Sequence, residues 1–114
     1  MTLDKTARRL LSRLPADARL PAANAAKRIA IKAGATAITA AHVLAATARL
    51  PWTAHATAAR DAMADRDAGR AGELQVWAER LARQRGAQRV GVDDWKAARL
   101  VAGDEFMPEG GDAE

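Results

Sequence analysis

The amino-acid sequence predicts an all-α protein: two tandem three-helix units packed into one small pseudo-symmetric helical domain. Three observations lead there. Apolar residues recur at helical spacing as far as Ala102, single glycines and prolines punctuate the runs, and the pattern of the first half returns in the second. The chain has 114 residues, and a lone helical unit of about fifty residues is only marginally stable. The two units are therefore expected to depend on each other.

Leu3, Ala7, Leu10, Leu11 and Leu14 fall on one helical face, with Lys5, Arg8, Arg9 and Arg13 turned away. This predicts an amphipathic first helix that Pro15 ends. Pro21 suits the first turn of a second helix, which runs through Ile29 and Ala30 and stops at Gly34. Thr39 is the expected N-cap of a third helix through Val43 and Leu44, closed before Pro51.

The second half repeats this order. Trp52, Ala56, Ala59 and Met63 reproduce the spacing of Leu3, Ala7, Leu10 and Leu14 at a displacement of 49. Arg80, Leu81, Ala82, Gly86, Ala87 and Val90 reproduce Arg28, Ile29, Ala30, Gly34, Ala35 and Ile38 at a displacement of 52. The difference is an insertion, expected in the polar run from Ala64 to Arg70. Thr53 is a candidate N-cap for the fourth helix, and Leu74, Trp77, Ala78, Leu81 and Ala82 share a face of the fifth. Asp93 and Asp94 precede Trp95, at the positive end of a short last helix.

The links 36–38 and 88–90 occupy matching points, and a minimal two-stranded bridge between the units is expected there. The resulting organisation is a first unit over 1–50, a second over 51–102, and a disordered acidic tail over 103–114. Leu3, Ala7, Leu10, Leu11, Leu14, Ile29, Trp52, Trp77, Leu81 and Trp95 are the expected shared core.

Composition narrows the chemistry. The absence of cysteine excludes disulfides, thiolate metal sites and thiol nucleophiles. No apolar run approaches the length of a membrane span, and residues 1–13 lack a signal-peptide hydrophobic region, so a cytoplasmic protein is expected. The net charge of +4 is unevenly distributed. Residues 1–59 hold nine Lys and Arg against Asp4 and Asp17, whereas residues 60–114 hold nine against twelve acids. The first half could face an anionic partner.

Candidate chemistry is sparse. His42 and His55 have no carboxylate at a spacing that completes a metal site, and they read as solvated or partly packed. Asp61 with Asp65, and Asp93 with Asp94, lie in polar or helix-start contexts rather than in an apolar pocket that would tune an acid. Gly34 and Gly86 follow helices instead of opening them, so they stop helices and do not cradle phosphate. The tryptophans read as core anchors, with a planar-ligand or partner-helix surface as the functional alternative. No catalytic residue, metal ligand or cofactor site is predicted. What remains is a positive surface made of Lys5, Arg8, Arg9, Arg13, Arg19, Lys27, Arg28 and Lys32.

The first unit resembles the C-terminal helical domain of the B subunit of light-independent protochlorophyllide reductase. In that family a Trp-x-x-x-Ala segment leads to a Leu-x-x-Ile-Pro turn, an Arg, an Ala-x-x-x-Gly and an Ile-Thr pair. Ala7, Leu11, Leu14, Pro15, Arg19, Ala30, Gly34, Ile38 and Thr39 match it without gaps. Leu3 stands where the Trp is expected, Ala16 and Asp17 where two aromatics usually follow the Pro, and Lys27 where an acid is common. The second unit restores Trp52 and keeps Ala56, Ala82, Gly86 and Val90, but it lacks the turn.

In the reductase this domain is appended to a nitrogenase-like core that holds the iron–sulfur cluster and the tetrapyrrole. That core is missing between residues 1 and 114, so the resemblance does not carry the reductase activity over. The expected function is a non-catalytic protein-interaction module without a cofactor. It docks on a larger protein partner, such as a nitrogenase-like or tetrapyrrole-pathway reductase, and is itself a monomer or homodimer. The competing reading is a small basic, histone-like DNA-binding protein that uses the same cations.

Overall fold

In the computed structural model, which describes residues 1–103, six α-helices and one pair of very short strands make up the regular structure. The all-α class is what the chain adopts. In the first repeat, β1 (Thr2–Leu3) leads into α1 (Lys5–Ser12), α2 (Ala16–Lys32), β2 (Ala37–Ile38) and α3 (Ala40–Thr47). Asp4 caps α1: its Oδ1 accepts from the Ala7 N–H at 2.7 Å, which satisfies one of the donors a helix start leaves open. Ala7, Leu10 and Leu11 of α1 are buried, as are Ala22, Ala26 and Ala30 of α2. Burying a Leu side chain contributes about 2 kcal/mol, and the alanine stripe of α2 lets neighbouring helices approach closely.

Helix α2 ends in a left-handed glycine turn. Gly34 has φ +74°, its N–H donates to the Ile31 carbonyl, and the Ala35 N–H donates to the Ala30 carbonyl. This pairing closes the last carbonyls of the helix. Strand β2 then pairs in parallel with β1, Thr2 opposite Ala37 and Leu3 opposite Ile38. A parallel pair needs a crossover between its strands, and α1 with α2 supplies it.

The second repeat rebuilds these features at the expected displacements. Helix α4 (Ala54–Arg66) follows α1, α5 (Ala68–Gln84) follows α2, and α6 (Val92–Ala98) follows α3. Thr53 Oγ1 accepts from the Ala56 N–H as Asp4 does from Ala7. Gly86 also has φ +74°, with the same two carbonyls closed by Gly86 and Ala87. Trp52 and Val90 form an isolated parallel bridge where the first repeat has Leu3 and Ile38. A π-helical turn over Arg99–Gly103 follows α6.

Several expectations need correction. The short extended links do not pair with each other. Each pairs with the segment that precedes the first helix of its own repeat, because that segment is already extended and is brought alongside by the intervening helix pair. Helix α1 stops before Pro15 as expected, but Pro15 is also the N-cap of α2, so that Pro21 lies inside α2, where it removes the bond to the Asp17 carbonyl. The chain divides into two compact units, each drawn from two stretches of sequence. One unit comprises Met1–Ala48 with Asp61–Gly72, the other Arg49–Arg60 with Glu73 onward.

The insertion explains that division: the extra residues lengthen α4, and Asp67 alone links it to α5. Met63, Ala64, Ala68 and Ala71 at this tip are buried, and Gly72 is so near Leu10 that a Cβ there would lie 3.0 Å from its Cδ1. Of the expected core, Ala7, Leu10, Leu11 and Trp95 are buried, whereas Leu3, Leu14, Ile29, Trp52, Trp77 and Leu81 are only half-buried. The expected acidic tail lies, from residue 104, outside the described residues.

Candidate interaction surface

All eight cations singled out in the sequence are exposed, and all belong to the first repeat. They do not form one patch. Lys5, Arg8 and Arg9 lie on the face of α1 opposite Ala7, Leu10 and Leu11, as helical periodicity requires. Lys27, Arg28 and Lys32 lie on the outer face of α2, away from Ala22, Ala26 and Ala30. Two arginines are engaged within their own compact unit instead. Arg19 folds back on the end of α1, its Nε donating to the Leu14 carbonyl at 2.9 Å and its Nη2 to the Ser12 carbonyl at 3.1 Å. Arg13 lies with its guanidinium against Gly69, close enough that a Cβ at that glycine would collide with it.

The outer face of α2 also carries two large aliphatic side chains that the sequence reading missed. Leu20 is 70% exposed and Ile31 57%. Eleven residues separate them, so they stand on one line of the helix about 16 Å apart. An expected helix start at Pro21 placed Leu20 outside the helix and hid this alignment. Its signal was the spacing itself: three turns with Asn24 and Lys27 between.

The remaining polar chemistry sits in the second repeat and is directed inward. Glu79, 3% exposed, accepts through Oε2 from the Arg49 N–H at 2.8 Å, the Leu50 N–H at 3.2 Å and Trp52 Nε1 at 3.1 Å. Arg60 donates to Gln75 Oε1 at 3.0 Å and stands 4.9 Å over the Trp52 ring, which meets Trp95 edge-on at 5.8 Å. Trp77 is half-buried with Arg80 over its ring at 4.9 Å. These contacts anchor the chain that enters the repeat. They direct no reactive group toward solvent.

The histidines and paired acids take local structural roles where the structure records one. His42 Nδ1 accepts from the Thr39 N–H at 3.0 Å, so it serves at the start of α3 as a Glu or Gln serves in a capping box. Asp94 does the same for α6, accepting from the Gly91 N–H at 2.9 Å while Arg85 grips both its oxygens at 2.7 Å. That paired hydrogen bond holds the Asp94 carboxyl below the ordinary carboxylate range against the opposing effect of burial, and it raises Arg85. Asp93 lies beside it in the first turn of α6 and is exposed, as is His55 on α4.

Among the described residues no three His, Asp or Glu side chains gather to hold a metal ion, and no helix is long and apolar enough to cross a membrane. No family model, curated protein or solved structure matches this chain.

Proposed function

We propose that the chain is a non-catalytic helical interaction module whose first repeat docks on a larger protein. The observation that carries this is the mixed character of the outer face of α2, where Leu20 and Ile31 stand exposed among Lys27, Arg28 and Lys32. Protein interfaces pair an apolar centre with a polar rim. A nucleic-acid backbone takes up cations but gives two aliphatic side chains little to bury against. The resemblance of the first repeat to the reductase appendage names the class of partner: a nitrogenase-like or tetrapyrrole-pathway reductase.

A second reading, DNA binding, is favoured by a different observation: the α1 face with Lys5, Arg8 and Arg9 is purely cationic. One pair of experiments separates the two. Capture of a cluster-bearing reductase that is lost with Leu20→Asp and Ile31→Asp, without duplex DNA affinity at physiological salt, supports docking. Tight duplex binding that weakens steeply with salt and is abolished by charge reversal at Arg8 and Arg9 supports the second reading and overturns the first.

A further inference from the structure

The outer face of α2 restricts the chemistry of what can cover it. Leu20, Asn24, Lys27 and Ile31 follow one another at steps of four, three and four residues, so they form one line along three turns of the helix, with the exposed Arg28 beside it. The ends of this line are exposed aliphatic side chains, and its middle is polar and cationic. Asp17 is the only acid of α2, against Arg19, Lys27, Arg28 and Lys32. We propose, on the docking reading given above, that this face receives an acidic amphipathic helix of the partner. Its apolar side chains recur at the same steps, and its carboxylates flank them.

Charge, backbone and spacing each select this occupant. Lys27, Arg28 and Lys32 attract carboxylates within about a Debye length, roughly 8 Å at physiological ionic strength. The aliphatic stem of Lys27 can cover apolar atoms while its ammonium reaches a carboxylate. The backbone groups of a helix are paired along its own axis, so α2 offers an extended segment no ladder to join, whereas a docking helix brings its own hydrogen bonds already closed. A helix also has the same rise, and its apolar side chains repeat over the same distance of about 16 Å that separates Leu20 from Ile31. A second copy of α2 fits poorly. The antiparallel pairing that sets Leu20 against Ile31 of a second copy gathers Lys27 and Arg28 of both chains within about 8 Å along the axis, where like charges repel.

The test titrates the isotope-labelled full chain with a synthetic helical peptide of about twenty residues, which carries leucine at those steps, glutamate beside them and alanine elsewhere. Amide shifts should centre on residues 17–32, and the affinity should fall about tenfold or more as salt is raised. Leu20→Asp with Ile31→Asp, at exposed positions that leave the fold intact, should abolish the shifts. Lys27→Glu with Arg28→Glu should weaken binding of the acidic peptide and let a peptide with lysine in place of glutamate bind instead, a reversal that loss of folding cannot produce. Equal shifts from a peptide of the same composition with its leucines scattered, shifts centred on Lys5, Arg8 and Arg9, α2 signals that move with chain concentration alone, or no shifts at all would each overturn the proposal. A captured partner that is lost with Leu20→Asp and Ile31→Asp, alongside a peptide that shifts nothing, would overturn the acidic helix while the docking reading stands. Tight duplex binding through α1 would instead overturn the docking reading and leave the peptide result unchanged.

Discussion

In the first repeat Leu11, Ala23 and Lys27 stand where the second has Arg60, Gln75 and Glu79. The backbones around them agree in their caps, their glycine turns and their parallel bridge. Lys27 is exposed, whereas Arg60, Gln75 and Glu79 are all buried. At Leu11 and Arg60, both buried, the same helical frame therefore accepts either an apolar side chain or a hydrogen-bonded polar one. Terminal interactions set the frame, and interior residues respond to what each repeat has to cover. The second repeat must take up the N–H groups of Arg49 and Leu50 where the chain enters it, and the buried carboxylate of Glu79 does so. A polar group buried with its partners is tolerated, whereas one left without them is costly.

The largest expected effect tests this difference directly. Glu79→Ala strands three donors and should cost about 3 kcal/mol in urea unfolding, whereas Lys27→Ala at the equivalent position should stay within about 0.5 kcal/mol. Equal losses would break the comparison.

Next comes the cap of α6. Asp94→Ala should cost about 2 kcal/mol at neutral pH by removing the Gly91 acceptor. Because the folded-state carboxyl is held low, its contribution is present above the unfolded carboxylate range, near pH 4, and is lost as pH falls through the folded value. The stability gap between variant and parent should close in that acid window and nowhere above it.

Where the repeats agree, substitutions should agree as well. Gly34→Ala and Gly86→Ala each place a side chain at φ +74° with nothing within 4 Å to meet it, so backbone strain alone should cost about 1 kcal/mol in both. Unequal losses would show that the turns are not equivalent.

The smallest effect should come from His42→Asp, which gives α3 the acidic cap of α6. Stability at neutral pH should change by less than about 0.5 kcal/mol. The Asp carboxylate can accept from the Thr39 N–H as the imidazole does, so any difference should be confined to the start of α3. Amide exchange at residues 39–43 would read this difference.

Local chemistry made much of this legible beforehand. Thr39, Thr53, Gly34 and Gly86 act within a few residues of themselves, and their roles at helix ends follow from side-chain reach and backbone freedom alone. The doubled pattern was visible for the same reason, because spacing survives when residue types change. The start of α2 was misjudged because Pro15 and Pro21 both suit a first turn. The choice was decided by a longer helix to which Arg19 adds a bridge back to the end of α1. The candidate surface was half legible: its cations stood out, but Leu20 and Ile31 came into line only once α2 was known to begin at Ala16.

The amino-acid sequence alone determined the all-α class, the duplication, most of the helix ends and the positive character of the first repeat. All of these depend on composition, periodicity and short-range hydrogen bonding. Tertiary structure alone decided which segments pair, that residues 61–72 group with the first unit, that Arg60, Gln75 and Glu79 turn inward, and that Leu20 and Ile31 remain in solvent. Those outcomes depend on contacts between residues far apart in the chain, where burial, and not spacing, selects among arrangements that local preferences leave equally open.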